Sequence, residues 1–325
     1  MDTFLEESQT FMRAVTESFH LINTSRAGLE LLAGQVDRVV KAGADDRIIE
    51  ALFPMPDGTT GQNLRAQTLR DQAAKDRDLA EMWLFVVFAR YETWAESLET
   101  EHGIVGASRA SQFSYSSGGT PGYSGVFSVL ASDPVMGGIY SQAVAADNLV
   151  FSSTTVVDAA LQVYRFYKEV RNSLVHSSAR ANDRLASASL AAQPAIATLQ
   201  SSSTFRTGHV PVMAPGDVVS VDLPLVRDAV ALLRRLVFTI DSRVMLSPIG
   251  RADFESRWQA RYGADPLRVS LNKLKRPAWY NAHVSHALSM PAPPVHGRTD
   301  GAVWPAASRD AFVDFATPRW MIRRM

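Results

Sequence analysis

The residues best suited to chemistry lie in one run, YRFYKEVRNSLVH, spanning positions 164–176. Arg171 and Asn172 come directly after an apolar helical face, and His176 follows five residues after the arginine. Histidine titrates near pH ~6.5, so His176 is suited to take a proton from a hydroxyl such as a ribose 2′-hydroxyl. Arginine is always charged, and its forked donors match phosphate oxygens. Arg171 would therefore stabilise charge building on phosphorus in a transition state. Asn172 could hold a phosphate or orient the histidine. The attacking oxygen in such a reaction already belongs to the substrate, so no metal is required.

Geometry limits this reading. An α-helix turns about 100° per residue, so five residues turn about 500° and leave Arg171 and His176 about 140° apart. On a straight helix the two cannot converge on one small ligand. Either the helix bends at Asn172 and Ser173, or a second copy of the chain completes the site. On spacing alone, the plainer reading is an ordinary surface arginine and a partly buried histidine.

The elements that must position these residues read as mainly helical. Phe4, Phe11, Met12, Val15, Phe19 and Ile22 recur at helical spacing. A second helix is expected after Ser25, ending at Gly43, and Asp45 or Asp46 is expected to cap a short one reaching Phe53. Residues 61–101 read as one long helix, apolar nearly all round over 82–88 and so expected at the centre of a bundle. The Ser/Gly-rich stretch 103–125 reads as a loop or insertion. A helix from Ser153 carries the 164–176 run and continues towards Ala192, with Pro194 as the expected interruption. Alternation over 209–213 and 217–221, around Pro215 and Gly216, predicts a small β-hairpin. Asp222 and Pro224 then open a strong helix to about Ile240, and Phe254 to Tyr262 reads as a short one. The expected division is a helical domain over 1–247 and a basic, partly irregular extension over 248–325.

Composition agrees with a buried core: 46% of the 325 residues are hydrophobic and 20% are charged. The absence of cysteine excludes disulfides, thiolate zinc sites and cysteine nucleophiles. The N-terminal residues lack the basic start and apolar run of a secretory signal, and the apolar run 82–89 is far shorter than the roughly 20 residues of a membrane span. A cytoplasmic protein without membrane contact is expected. Net charge is zero, yet residues 248–325 carry 12 basic against 6 acidic side chains. Such a tail suits a polyanion such as RNA, or the chain's own acidic face.

The segment EVRNSLVH resembles the R-x4–6-H motif of the HEPN superfamily, including the asparagine directly after the arginine. The segment VVFARYETWAESLE resembles the HEPN helix that carries an aromatic and a glutamate mid-bundle, here Tyr91 and Glu92. GDVVSVDLPLVRDAVALLRRLV resembles the strand pair and closing helix that follow the motif in one branch. The resemblance covers roughly residues 1–247. It implies a dimerising helical bundle whose two motifs meet at a shared cleft, and a metal-independent endoribonuclease acting in toxin–antitoxin or antiviral defence. Arg171 and His176 would be the catalytic pair and Asn172 their polar helper, with RNA as substrate, a homodimer as the assembly, an antitoxin or regulatory protein as partner, and no cofactor. Other members of the superfamily have lost catalysis and serve as binding or scaffolding modules, which is the alternative for this chain.

Other chemistry-bearing residues lie outside the motif. His283 and His286 have helical metal-ligand spacing, but no third ligand lies near them in sequence. Glu92 sits in an apolar helix and needs a partner from another helix, which points to a structural polar contact first. Trp258, Tyr262, Trp279, Tyr280, Trp304 and Trp320 lie among basic residues, a pattern suited to stacking bases or to covering the bundle. No phosphate-binding glycine loop and no G-x-S-x-G elbow is present.

Overall fold

A computed structural model describes residues 3–54, 63–104, 130, 132–151, 153–202, 205, 210–263, 267–269, 283, 288, 290 and 322–324. The described residues form nine helices: α1 (Glu6–Lys41), α2 (Asp46–Leu52), α3 (Leu64–Thr68), α4 (Gln72–His102), α5 (Pro134–Ala146), α6 (Thr154–His176), α7 (Asp183–Ser202), α8 (Leu223–Met245) and α9 (Pro248–Tyr262). Two three-residue strands, β1 (Leu267–Val269) and β2 (Ile322–Arg324), pair in parallel. The Ser/Gly stretch from 105 to 125, His286 and the tail aromatics beyond Tyr262 lie outside the described residues.

The long helix α1 replaces the two helices expected before Gly43. The cap-prone stretch Asn23, Thr24, Ser25 stays helical, and Asn23 Nδ2 donates to Phe19 O within the same helix. What holds α1 continuous is α4, packed antiparallel along it. Trp94 Nε1 donates to Ser8 Oγ at 3.0 Å, Trp83 Nε1 to Ser18 Oγ at 3.0 Å, and Arg26 pairs with Asp76 at 3.1 Å. As the α1 number rises the α4 number falls, and the three contacts span most of both helices.

The single helix expected over 61–101 is broken after Thr68. Asn63 caps α3, Asp71 opens α4, and Lys75 Nζ reaches back across the break to Thr68 O. α4 is also not buried all round: Trp83, Leu84, Val87, Phe88, Tyr91 and Trp94 face the core, while Met82 and Val86 are exposed. α5 has no counterpart in the sequence reading. Asp133 caps it, and the Asp133 N–H donates to Leu246 O at the end of α8.

The helix expected to run from Ser153 towards Ala192 ends instead at His176, and Pro194 lies inside α7. The stop is a loop in which Ser178 and Ala179 both adopt positive φ, at 51° and 56°. For non-glycine residues this region is sterically costly, so other contacts must impose it. The segment 210–221 supplies them. Val219 N donates to Ala179 O, Ala181 N to Asp217 O, and Gly216 N to Ala181 O. The turn at Pro215 and Gly216 is present, but among the described residues its arms do not pair with one another, so the expected hairpin is not shown. One arm bridges Arg180 through Val218, and the other docks on α7 through Met213 N to Ser189 Oγ and Gln193 Nε2 to Val210 O. His209 lies outside the described residues.

α8 begins at its expected cap, with Asp222 Oδ1 accepting from Leu225 N. It carries a buried carboxylate, Asp241, beside the buried side chains of Ile240 and Ser242. Asp241 accepts from the backbone N–H groups of Phe4 at 2.6 Å and Leu5 at 2.9 Å, which ties the start of the chain to the core. Arg257 on α9 donates to Phe4 O and stacks over the Phe4 ring, 4.8 Å from its centroid. α9 is part of the same core, with Trp258 fully buried. No helix among the described residues is long and apolar enough to cross a membrane.

Candidate functional site

α6 presents one side to the core and the other outward. Val156, Val157, Ala160, Leu161, Tyr164, Tyr167 and Val170 are buried, while Arg165, Val175 and His176 are exposed. The core side packs on α4 through an aromatic layer. Phe88 stacks on Tyr164 with centroids 5.8 Å apart, and Tyr91 lies 5.3 Å from the same ring. Burial pushes both tyrosine hydroxyls far above their ordinary pKa, so neither serves as an acid or base near neutral pH. The Tyr91 hydroxyl has no hydrogen-bond partner among the described residues.

Arg171 sits at the rim of this layer. Its Nη2 lies 3.9 Å from Glu92 Oε2 on α4, and its Nη1 donates to Asn172 Oδ1 at 3.1 Å. The structure thus supplies the partner on another helix that Glu92 required. The Arg171 Nε is buried with no acceptor among the described residues. Lys168, one turn earlier, has its pKa lowered by burial, against the pull of Glu92 and Glu169.

His176 closes α6 as its last residue and is exposed. The helix runs unbroken through Asn172 and Ser173, so the bend that would bring His176 towards Arg171 is absent. No hydrogen bond joins the two among the described residues. On the helical wheel Asn172 is the residue one turn below His176, offset by about 40°, whereas Arg171 is offset by about 140°. Asn172 therefore stands between them: it holds the arginine on one side and lies along the outward stripe with Arg165 and His176 on the other.

Sequence reasoning missed the layer beneath the motif and the backbone clamp behind it. The signal for the first was Tyr164, seven residues before Arg171 and so on the same face of the helix, opposite the Phe88 and Tyr91 pair. The signal for the second was the alternating segment itself, assigned to the wrong partner. Of the other candidates, Trp258 is core, and Tyr262 donates its hydroxyl to His283 O at 2.8 Å. Among the described residues no group of three His, Asp or Glu side chains is arranged to hold a metal ion.

No family model matches the chain, and no curated protein or solved structure matches it either.

Proposed function

We propose that this chain is a metal-independent endoribonuclease of the HEPN type, a toxin-like or anti-phage effector that cleaves RNA at a site completed by a second copy. The observation that carries the reading is the Asn172 bridge. It leaves an arginine oriented by Glu92 and Asn172 at the rim of the buried aromatic layer, with an exposed histidine one turn above the asparagine on the outward side of α6. In this mechanism His176 takes the proton from the 2′-hydroxyl, the oxygen attacks the adjacent phosphorus to close a 2′,3′-cyclic phosphate, and the bond to the 5′-oxygen breaks as that oxygen takes a proton from water. Arg171 holds the charge on the non-bridging oxygens. Because one straight α6 separates Arg171 and His176 by about 140°, the histidine that serves one arginine would come from the partner copy.

The second reading is a HEPN-like binding or scaffolding module, bound to a partner protein or nucleotide without cleavage. It is favoured by the contacts Arg171 already makes inside its own chain, to Glu92 and Asn172.

Purified protein is incubated with total RNA in EDTA, beside Arg171→Ala and His176→Ala, and all three are run on a sizing column. The nuclease reading expects cleavage by the wild-type dimer and none by either variant, with dimer and fold unchanged. Cleavage that persists in both variants removes the mechanism. Three intact dimers that leave RNA uncut favour the binding module.

A further inference from the structure

The first turns of α1 face the last turns of α9. Between them lies a cleft of about 590 Å³. α1 contributes Glu6, Gln9 and Arg13, spaced i, i+3, i+7 along one face. α9 contributes Asp253, Arg257 and Arg261, spaced i, i+4, i+8 along the facing one. Three arginines thus meet two carboxylates, but the charges are not equally engaged. Arg257 is committed to the fold: it pairs with Asp253 at 2.7 Å and donates to Phe4 O and Leu288 O. Arg13 and Arg261 are exposed, and neither has a carboxylate partner among the described residues. Arg261 lies beside the Tyr262 hydroxyl.

We infer that this cleft is a binding site for a phosphorylated sugar of nucleotide size, whose phosphate is held between Arg13 and Arg261. Two guanidiniums without a carboxylate partner among the described residues, one on each helix, are the donor set a phosphate needs, since each can present two parallel N–H groups to its oxygens. Glu6 decides against a bare anion. It is exposed at the same rim and would repel one, whereas it accepts hydrogen bonds from sugar hydroxyls. The volume is within the range of small-molecule sites and leaves room beyond a sugar phosphate for a base. The cleft shares no lining residue with the Arg171 motif, so the inference stands independently of RNA cleavage.

The test is calorimetric titration of the full chain with AMP, adenosine and inorganic pyrophosphate. Arg13→Gln and Arg261→Gln are compared with wild type, and Arg38→Gln at the other end of α1 is the control. AMP should bind and adenosine should not. Each cleft variant should weaken AMP by about tenfold, the loss of one charge-assisted contact, with its melting temperature unchanged. Glu6→Gln should tighten pyrophosphate and leave AMP no tighter. The inference is overturned if neither phosphate probe binds, or if AMP binds the Arg13→Gln, Arg261→Gln double variant as well as wild type.

Discussion

Replacing Asp241 by asparagine should change how stability depends on pH, by an amount set by its surroundings. The carboxylate is 2% exposed, and its oxygens accept from the N–H groups of Phe4 and Leu5. Burial pushes its pKa up to about 6 from an ordinary value of 3.8, although the two N–H groups, Ser8 and Arg257 pull the other way. Between those values the folded chain holds a proton that the unfolded chain has released. Stability contributed by this group is therefore complete below about pH 4 and is lost as pH rises through about 6. About two pKa units at about 1.4 kcal/mol each give a loss of about 3 kcal/mol across that window. Asparagine carries no charge at either end, so the slope vanishes in the variant. Its single acceptor oxygen serves one N–H and leaves the other facing an NH₂ group, which adds a pH-independent penalty of about 1–3 kcal/mol. Urea unfolding of both proteins from pH 4 to pH 7 isolates the effect, because groups such as the Glu7–His102 pair titrate identically in the two and cancel in the difference. The wild type should lose about 3 kcal/mol relative to Asp241→Asn as pH rises. A difference that stays flat across the range would refute the reasoning.

Two further substitutions test the backbone. Gly250 in the first turn of α9 packs against the carbonyls of Val244 and Met245, and a Cβ there would stand 2.5 Å from the Val244 oxygen. Since neither carbonyl can rotate away, Gly250→Ala should cost about 3 kcal/mol in chemical denaturation, and an unchanged midpoint would contradict that contact. Ala179→Gly relieves a left-handed alanine at φ 56° just beyond α6, and should raise stability by about 1 kcal/mol if the clamp from Val219 holds that conformation in solution. A loss of stability would mean that the loop is not held there.

Much of the helical content was legible in the chain alone because its signals are local. Asp45, Ser153 and Asp222 cap the helices that follow them, each through its own side chain, as residue type and position foretold. That residues 164–176 are helical was legible for the same reason, and so was the angle that keeps Arg171 and His176 apart, which is a property of any straight helix. Glu92 announced that it needed a partner by being a carboxylate in an apolar run.

What the chain alone could not decide were choices between local options of similar free energy. Ser25 is a good N-cap in isolation, yet α1 passes through it because the α4 contacts on both sides reward an unbroken helix. Pro194 is a poor helix residue, yet α7 accommodates it, while the loop from 177 to 182 stops α6 where Val219 and Asp217 take up its backbone groups. The segment 210–221 alternates as a strand should, but alternation says only that one face is buried, and here its backbone bonds went to the loop after His176. The identity of the Glu92 partner and the meeting of Arg13 and Arg261 at one cleft bring together residues from separate helices, in the second case 248 positions apart. Sequence sets which side chains are available for such contacts. Only packing, which sums many weak contacts over whole helices, sets which of them meet.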